Sequence, residues 1–160
     1  SYNFHGKGNF ASLLDAVVVG ATEVDVNFNA NVVTHSDGRL LHGIGGWMNC
    51  LPSKCTILPI PSFRDRIPVL VDNVTTLCGP GELVDVIVTE RGIAINPQRE
   101  DLLSKLRGSS LPIRAIDDIK NEVEEIVGGK PEAPDVGDKV VAAIKWVDGT
   151  VIDCVREVKS

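Results

Sequence analysis

The chain has 160 residues, 43% of them hydrophobic and 24% charged, with a formal net charge of −6 at pH 7. That length and apolar content suit one ordinary domain with its own core and exclude a disordered tail. The acidic balance, with no Lys/Arg cluster interleaved with aromatics, excludes a nucleic-acid grip, and no apolar run approaches the roughly 18–20 residues needed to cross a bilayer.

The first residues, "SYNFHGKGNF", lack the charged start and apolar stretch of a signal peptide. They also lack an initiator Met, so the natural chain is expected to begin further upstream. "HGKGN" (His5 to Asn9) reads as a loop leading into the first strand. "DAVVVGATEVDVNFNANVVT" (Asp15 to Thr34) is an apolar run followed by alternation, a long bent strand region broken near Gly20. "HSDG" (His35 to Gly38) turns the chain, and "RLLHG" returns as a partner strand. "TILPIP" (Thr56 to Pro61) and "IPVLVD" (Ile67 to Asp72) are short strands with prolines at their ends. "GPGE" (Gly79 to Glu82) turns into "LVDVIVTERGIAIN", a buried strand followed by a second apolar stretch.

Helical spacing begins at Arg99: "REDLLSKLRG" sets Leu102, Leu103 and Leu106 on one face and stops at Gly108. "LPIRAI" is a short strand. "DDIKNEVEEIVGG" is an amphipathic helix that Asp117 can cap, with Ile119, Val123, Ile126 and Val127 on its apolar face and Gly128 at its end. "KPEAPDVGDK" is rich in Pro, Gly and charge. The expected organisation is therefore an α/β domain over 1–130, a linker over 131–139 and a β-hairpin over 140–160 turning at Asp148-Gly149. Hairpins first and strand–helix alternation later predict a mixed sheet.

The four cysteines, Cys50, Cys55, Cys78 and Cys154, have neither zinc spacing nor a framework pattern. Free thiols are expected, which favours the cytoplasm, and no metal is expected. "LLHGIGGWMNC" (Leu40 to Cys50) crowds three glycines into four residues, at a conformational cost. A dinucleotide fingerprint fails because Met48 stands where a third glycine belongs, and the Gly-Lys-Ser/Thr ending of a phosphate loop is missing. Two readings stay open: a tight turn into a short helix, or a loop whose bare N–H groups stabilise developing oxyanion charge.

"FHGKGNFASLLDAVVVGATEVDVNFN", "GIGG", "RDRIPVLVDNVTTLCGPGELVDVIVTERGIAINP" and "DGTVIDCVREV" together resemble the citrate lyase alpha chain family nearly end to end. The resemblance implies a CoA-transferase-like α/β fold and the C-terminal part of a longer subunit. That subunit exchanges the acyl-carrier thioester from acetate to citrate, releasing acetate, and the citryl thioester is then cleaved to oxaloacetate and the acetyl thioester, so that citrate as a whole yields acetate and oxaloacetate. It implies beta (lyase) and gamma (acyl-carrier) partner subunits, and a CoA-like prosthetic group, phosphoribosyl-dephospho-CoA, carried on the gamma subunit. A homo-oligomer is also compatible with it. An acyl-CoA transferase or hydrolase for another acid, or a carrier-docking module without turnover of its own, are the competing function classes.

Through the resemblance, Gly43, Gly45 and Gly46 correspond to the family's glycine loop, and the N–H of Gly46 or Trp47 is the expected oxyanion donor. Many relatives have small or polar residues and then an acid after the glycine pair, where this chain has Trp47, Met48 and Asn49. Asn49 keeps hydrogen-bonding capacity without charge; Trp47 either stacks on the acyl arm or fills core. Related transferases carry the acyl group on a glutamate, and no residue here matches it. Among the acids present Glu90 is the most suggestive, ending a strand beside Arg91; an ion pair at the strand end is the plain alternative. His5 and Lys7 can orient citrate carboxylates. In "FRDRIP", Arg64 and Arg66 occupy alternate positions of an extended chain, so both guanidinium groups can face one anion.

Overall fold

A computed structural model of the chain describes residues 13–159. The valine run is interrupted at Gly20, as expected, and yields three short strands, β1 (Val17–Val18), β2 (Glu23–Asp25) and β3 (Ala30–Asn31). β2 turns into β3 through Phe28, whose φ of 66° is left-handed and rare for a bulky residue. Burial of its ring holds it there. The turn at 35–38 forms, with the His35 N–H donating to the Arg39 carbonyl at 2.9 Å, but the return is a single bridge between Thr34 and Leu40.

A four-residue helix, α1 (Trp47–Cys50), follows the glycines, and β4 (Thr56–Pro59), β5 (Phe63–Arg64), β6 (Ile67–Pro68) and β7 (Leu70–Val71) come next. β5 and β6 are a minimal hairpin whose two turn residues, Asp65 and Arg66, both have positive φ. This is the backbone that a tight two-residue turn between twisted strands requires. β8 (Val86–Thr89) and β9 (Gly92–Ile95) form a second hairpin at the "TERG" turn.

The main sheet runs β1-β4-β8-β9, parallel except for β8–β9, and a second sheet runs β3-β2-β7, with β2 antiparallel to β3 and parallel to β7. The fold is thus α/β with mixed sheets. The core between these layers is built from Val24, Phe28, Leu58, Leu70, Val84 and Ile87, with Ile119 and Val123 from the long helix.

α2 (Glu100–Leu106) and α3 (Ile116–Val127) stand where the spacing put them, with three differences. No residue of α2 is buried, and Leu103 is 38% exposed. The helix is held by charge: the Arg99 guanidinium reaches Asp85 at 2.6 Å and Asp101 at 2.8 Å. Ala115, not Asp117, is the N-cap of α3, because burying Ile116 starts the helix two residues earlier than an Asp117 cap would; Asp117 lies in the first turn, where it favours the helix dipole. Ile126 is exposed, and the fourth core-facing position belongs to Lys120, a buried cation held by Asp72 and Glu124 at 3.0 and 2.9 Å. Gly128 ends the helix in the left-handed region (φ 97°). "LPIRAI" makes only the Ile93–Ile113 bridge.

β10 (Val136–Lys145) and β11 (Val151–Val158) pair antiparallel around Asp148-Gly149, and β10 begins inside the stretch expected as linker. Ile144 and Val155 from this pair enter the core.

The Arg99 cluster predicts a pH effect. The Arg99 hydrogen bond draws the Asp101 carboxyl down to about 2, against a small opposing effect of burial. Its folded value lies below the unfolded one near 4, so its contribution is present above about pH 4 and is lost as pH falls toward 2. Thermal melts across that window should show a shallower decline for Asp101→Asn than for the parent chain, and equal slopes would refute the linkage. The effect is small because the carboxylate is solvated.

Candidate functional site

The glycine window runs in an open arc between the Leu40 bridge and α1. An added Cβ at Gly43, Gly45 or Gly46 would meet nothing within 4 Å, so crowding does not explain these glycines. Gly45 has φ +63°, which suits glycine, and Gly46 is the N-cap of α1 with φ −91° and ψ 7°. The Trp47 N–H is directed at the Ile44 carbonyl at 3.3 Å, and the Asn49 N–H donates to the Gly46 carbonyl at 3.0 Å. Among the described residues the Gly46 N–H has no acceptor. An unengaged N–H flanked by glycines can donate to a carbonyl oxygen arriving from outside.

The Trp47 side chain is packed into the core at 9% exposure. Its Nε1–H donates to the Gly20 carbonyl at 2.9 Å. Beside it opens a cavity of about 320 Å³, bounded by Gly20, Ala21, Thr22, Val32, His42, Ile44 and Trp47. His42 places Nδ1 2.9 Å from the Gly43 carbonyl oxygen.

Arg64 reaches the other side of the same wall, donating to the carbonyls of Ala21 at 2.9 Å and Thr22 at 3.0 Å. It borders a second cavity of about 280 Å³ with Glu23, His35 and Asp65. Arg66 does not join it. The chain is not extended there: the tight turn at 65–66 reverses it, and Arg66 donates to the Val127 carbonyl at the end of α3 at 3.3 Å. The expectation that both guanidinium groups face one anion is corrected accordingly.

Glu90 and Arg91 sit at the β8–β9 turn. The Glu90 carboxylate accepts the Ser62 hydroxyl and the Ser62 N–H, while Arg91 Nε donates to Ser62 Oγ at 3.1 Å. Arg91 lies over the Phe63 ring at 5.6 Å and donates to Glu122 at 3.0 Å; Arg114 donates to the other Glu122 oxygen at 2.5 Å. Burial pushes the Glu90 carboxyl up, but the Ser62 and amide hydrogen bonds with the Arg91 charge outweigh it and leave it below the usual carboxylate range. Arg114 and then Arg91 draw Glu122 down in the same way. Among the described residues no hydrogen bond or ion pair joins this cluster to the glycine window. Asn49 is half-buried on α1; His5 and Lys7 lie outside the described residues.

Sequence reasoning missed a buried polar joint behind the window. Glu23 and Asp25, 3% and 2% exposed, are paired with no cation among the described residues. Glu23 accepts Asn31 Nδ2 at 2.9 Å and the Thr75 N–H at 2.8 Å; Asp25 accepts the N–H groups of Asn27 and Asn29 at 2.9 and 3.0 Å. The signal was the "EVDVNFN" run, where acids and amides share a strand with valines. No cluster of three or more His, Cys, Asp or Glu suited to a metal occurs among the described residues, and none of their helices is long and apolar enough to cross a membrane.

A family model described as "Citrate lyase, alpha subunit" matches residues 1–158. The citrate lyase alpha chain of Klebsiella pneumoniae is 40% identical over 155 residues, 96% of this chain and 30% of that one. That of Escherichia coli K12 is 40% identical over 158 residues, 98% of this chain and 31% of that one. A Streptococcus mutans chain assigned as the citrate lyase alpha subunit, crystallised in complex with citrate, superimposes with a TM-score of 0.94 at 43% identity, covering 98% of this chain and 31% of that one. The chain thus spans about 30% of the length of the relatives it matches.

Proposed function

The chain belongs to the citrate lyase alpha-subunit family, and from that premise we propose that it is one part of a transferase subunit that exchanges an acyl-carrier thioester from acetate to citrate. The observation that carries the reading is the 0.94 TM-score, at 43% identity, with an alpha subunit crystallised with citrate. The partners are a lyase subunit and an acyl-carrier subunit, and the fold is of the CoA-transferase type.

The chemistry demands an oxyanion partner. When a citrate carboxylate attacks a thioester, negative charge gathers on the carbonyl oxygen, and a fixed N–H there lowers the barrier. The Gly46 N–H is the donor; Gly43 and Gly45 leave the approach clear, and Asn49 offers a neutral polar group nearby. Arg64 holds the carbonyls of Ala21 and Thr22, which border the cavity beside Trp47, and we assign Arg64, with His5 and Lys7, to the citrate carboxylates. Glu90 and Arg91 form a rigid ionic cluster that braces the β8–β9 turn rather than acting on the acyl group. The prosthetic group of the family supplies the thiol that carries the acyl chain. The apolar cavity beside Trp47 suits its slender arm, and Gly20, Ala21, Ile44 and Trp47 would line it there.

The test uses the full-length subunit with its acetylated carrier and three acceptors. Exchange that depends on citrate is expected; thiol release in water without citrate would indicate a hydrolase, and exchange with another acid but not citrate would reassign the substrate. Residues 1–160 alone should show no turnover.

A further inference from the structure

The glycines of the window have no packing of their own, so something else must hold their amides in place. No side chain projects from Gly43, Gly45 or Gly46, and the N–H-to-carbonyl contact inside the arc is long, at 3.3 Å. Ile44 is partly buried and gives one hold. The larger one is Trp47, the first residue of α1 and the immediate neighbour of the Gly46 amide.

The indole is gripped at two ends. Nε1–H donates to the Gly20 carbonyl between β1 and β2. The six-membered ring lies against Gly79, where an added Cβ would stand 2.3 Å from Cζ3 and 2.5 Å from Cη2. Gly79 cannot retreat: its N–H donates to the Ala30 carbonyl and its carbonyl accepts the Ala30 N–H, both at 2.9 Å, which fixes it to β3. Gly79 has no left-handed φ, so glycine is needed here for space and not for backbone conformation. The seat is a missing side chain in one rigid element, and the peg is the residue that starts the site helix.

We propose that Gly79 and Trp47 form a seat and peg that position the glycine-window amides for thioester exchange. This rests on the oxyanion reading above and deepens it: neither residue's side chain touches the reacting atoms, and both act through Gly46. A rigid ring cannot yield to a Cβ at 79 without breaking its bond to Gly20 and tilting α1. A displacement of about 1 Å at donors of this kind can cost up to 10²-fold.

The test is a double-mutant cycle in the full-length subunit, assembled with its carrier, reading kcat, KM for citrate and melting temperature. Gly79→Ala and Trp47→Leu should each lower kcat about 10- to 100-fold with KM within about twofold, the pattern of a lost transition-state contact. The double variant should lose no more than the worse single one, because each removes the same peg-in-seat contact. A purely structural role would lower melting temperature and leave kcat per folded subunit unchanged. Retained kcat in Gly79→Ala, or losses that multiply in the double variant, would overturn the proposal. Should Gly79→Ala fail to fold, Trp47→Phe adds no bulk and removes the Nε1–H. It should lower kcat about tenfold, and kcat within twofold of the parent would be equally fatal. Gly46→Pro separates the two ideas: if it keeps full turnover the oxyanion reading fails, whereas impaired Gly46→Pro beside unimpaired Gly79→Ala sinks the seat and peg alone.

Discussion

Gly46→Pro in the full-length subunit should lower thioester exchange on the order of 10²- to 10³-fold, the loss seen when one oxyanion donor is removed. Two properties of the site favour proline. The Gly46 φ of −91° is near the range proline favours, and an added Cβ meets nothing within 4 Å. The N–H that proline lacks has no acceptor among the described residues, so no internal bond is lost. Melting temperature should therefore move little while turnover collapses. Gly46→Ala keeps the N–H and should lose no more than about tenfold, well short of the loss of a whole donor. A folded Gly46→Pro enzyme with parental turnover would return the window to a plain turn.

Asp25→Ala should be the most destabilising of the substitutions considered, by about 2–4 kcal/mol, from unmet donors at roughly 1–3 kcal/mol each. Asp25 Oδ1 accepts two backbone N–H groups, from Asn27 and Asn29, and Oδ2 accepts the Asn29 side-chain amide at 3.0 Å. Those bonds hold the turn that keeps Phe28 in its left-handed conformation. They also aim the Asn29 side chain at the Gly81 N–H, 2.9 Å away. Gly81 closes the joint: a Cβ there would lie 2.0 Å from the Asn27 carbonyl oxygen. Removing the carboxylate therefore loosens β2, β3 and the 79–81 loop that seats Trp47. The expected drop in melting temperature is roughly 6–12 °C, at the few degrees per kcal/mol usual for this size. Asp25→Asn keeps an acceptor for the backbone N–H groups but faces the Asn29 amide with a second donor, so it should lose about half as much. A shift under about 2 °C for Asp25→Ala would refute this account.

Both predictions concern atoms whose importance was unequally visible in the linear chain. The glycine window could be singled out because three glycines in four residues is a costly choice wherever it occurs, and the family resemblance gave it a chemical meaning. Which N–H is free could not be read there: Trp47 and Gly46 were equal candidates until the Ile44 carbonyl took one of them. Trp47 looked equally suited to stacking and to packing, and only Gly79, 32 positions away in the chain, shows why it packs.

By itself the sequence determined the features that depend on neighbouring residues. Gly20 breaks the valine run, Gly128 stops α3 and Asp148-Gly149 turns the last two strands, because backbone sterics act over a few residues and constrain glycine least. Alternating hairpins and helices likewise foretold mixed sheets. The tertiary structure alone decided which side chains are buried and what they meet. It sent Asp25 and Glu23 inward onto amides, left the α2 leucines out of the core, and turned Arg66 away from Arg64. Burial and partnership are set by elements far apart in the chain, and a polar group goes inside wherever distant donors offset its lost water. No local pattern carries that information.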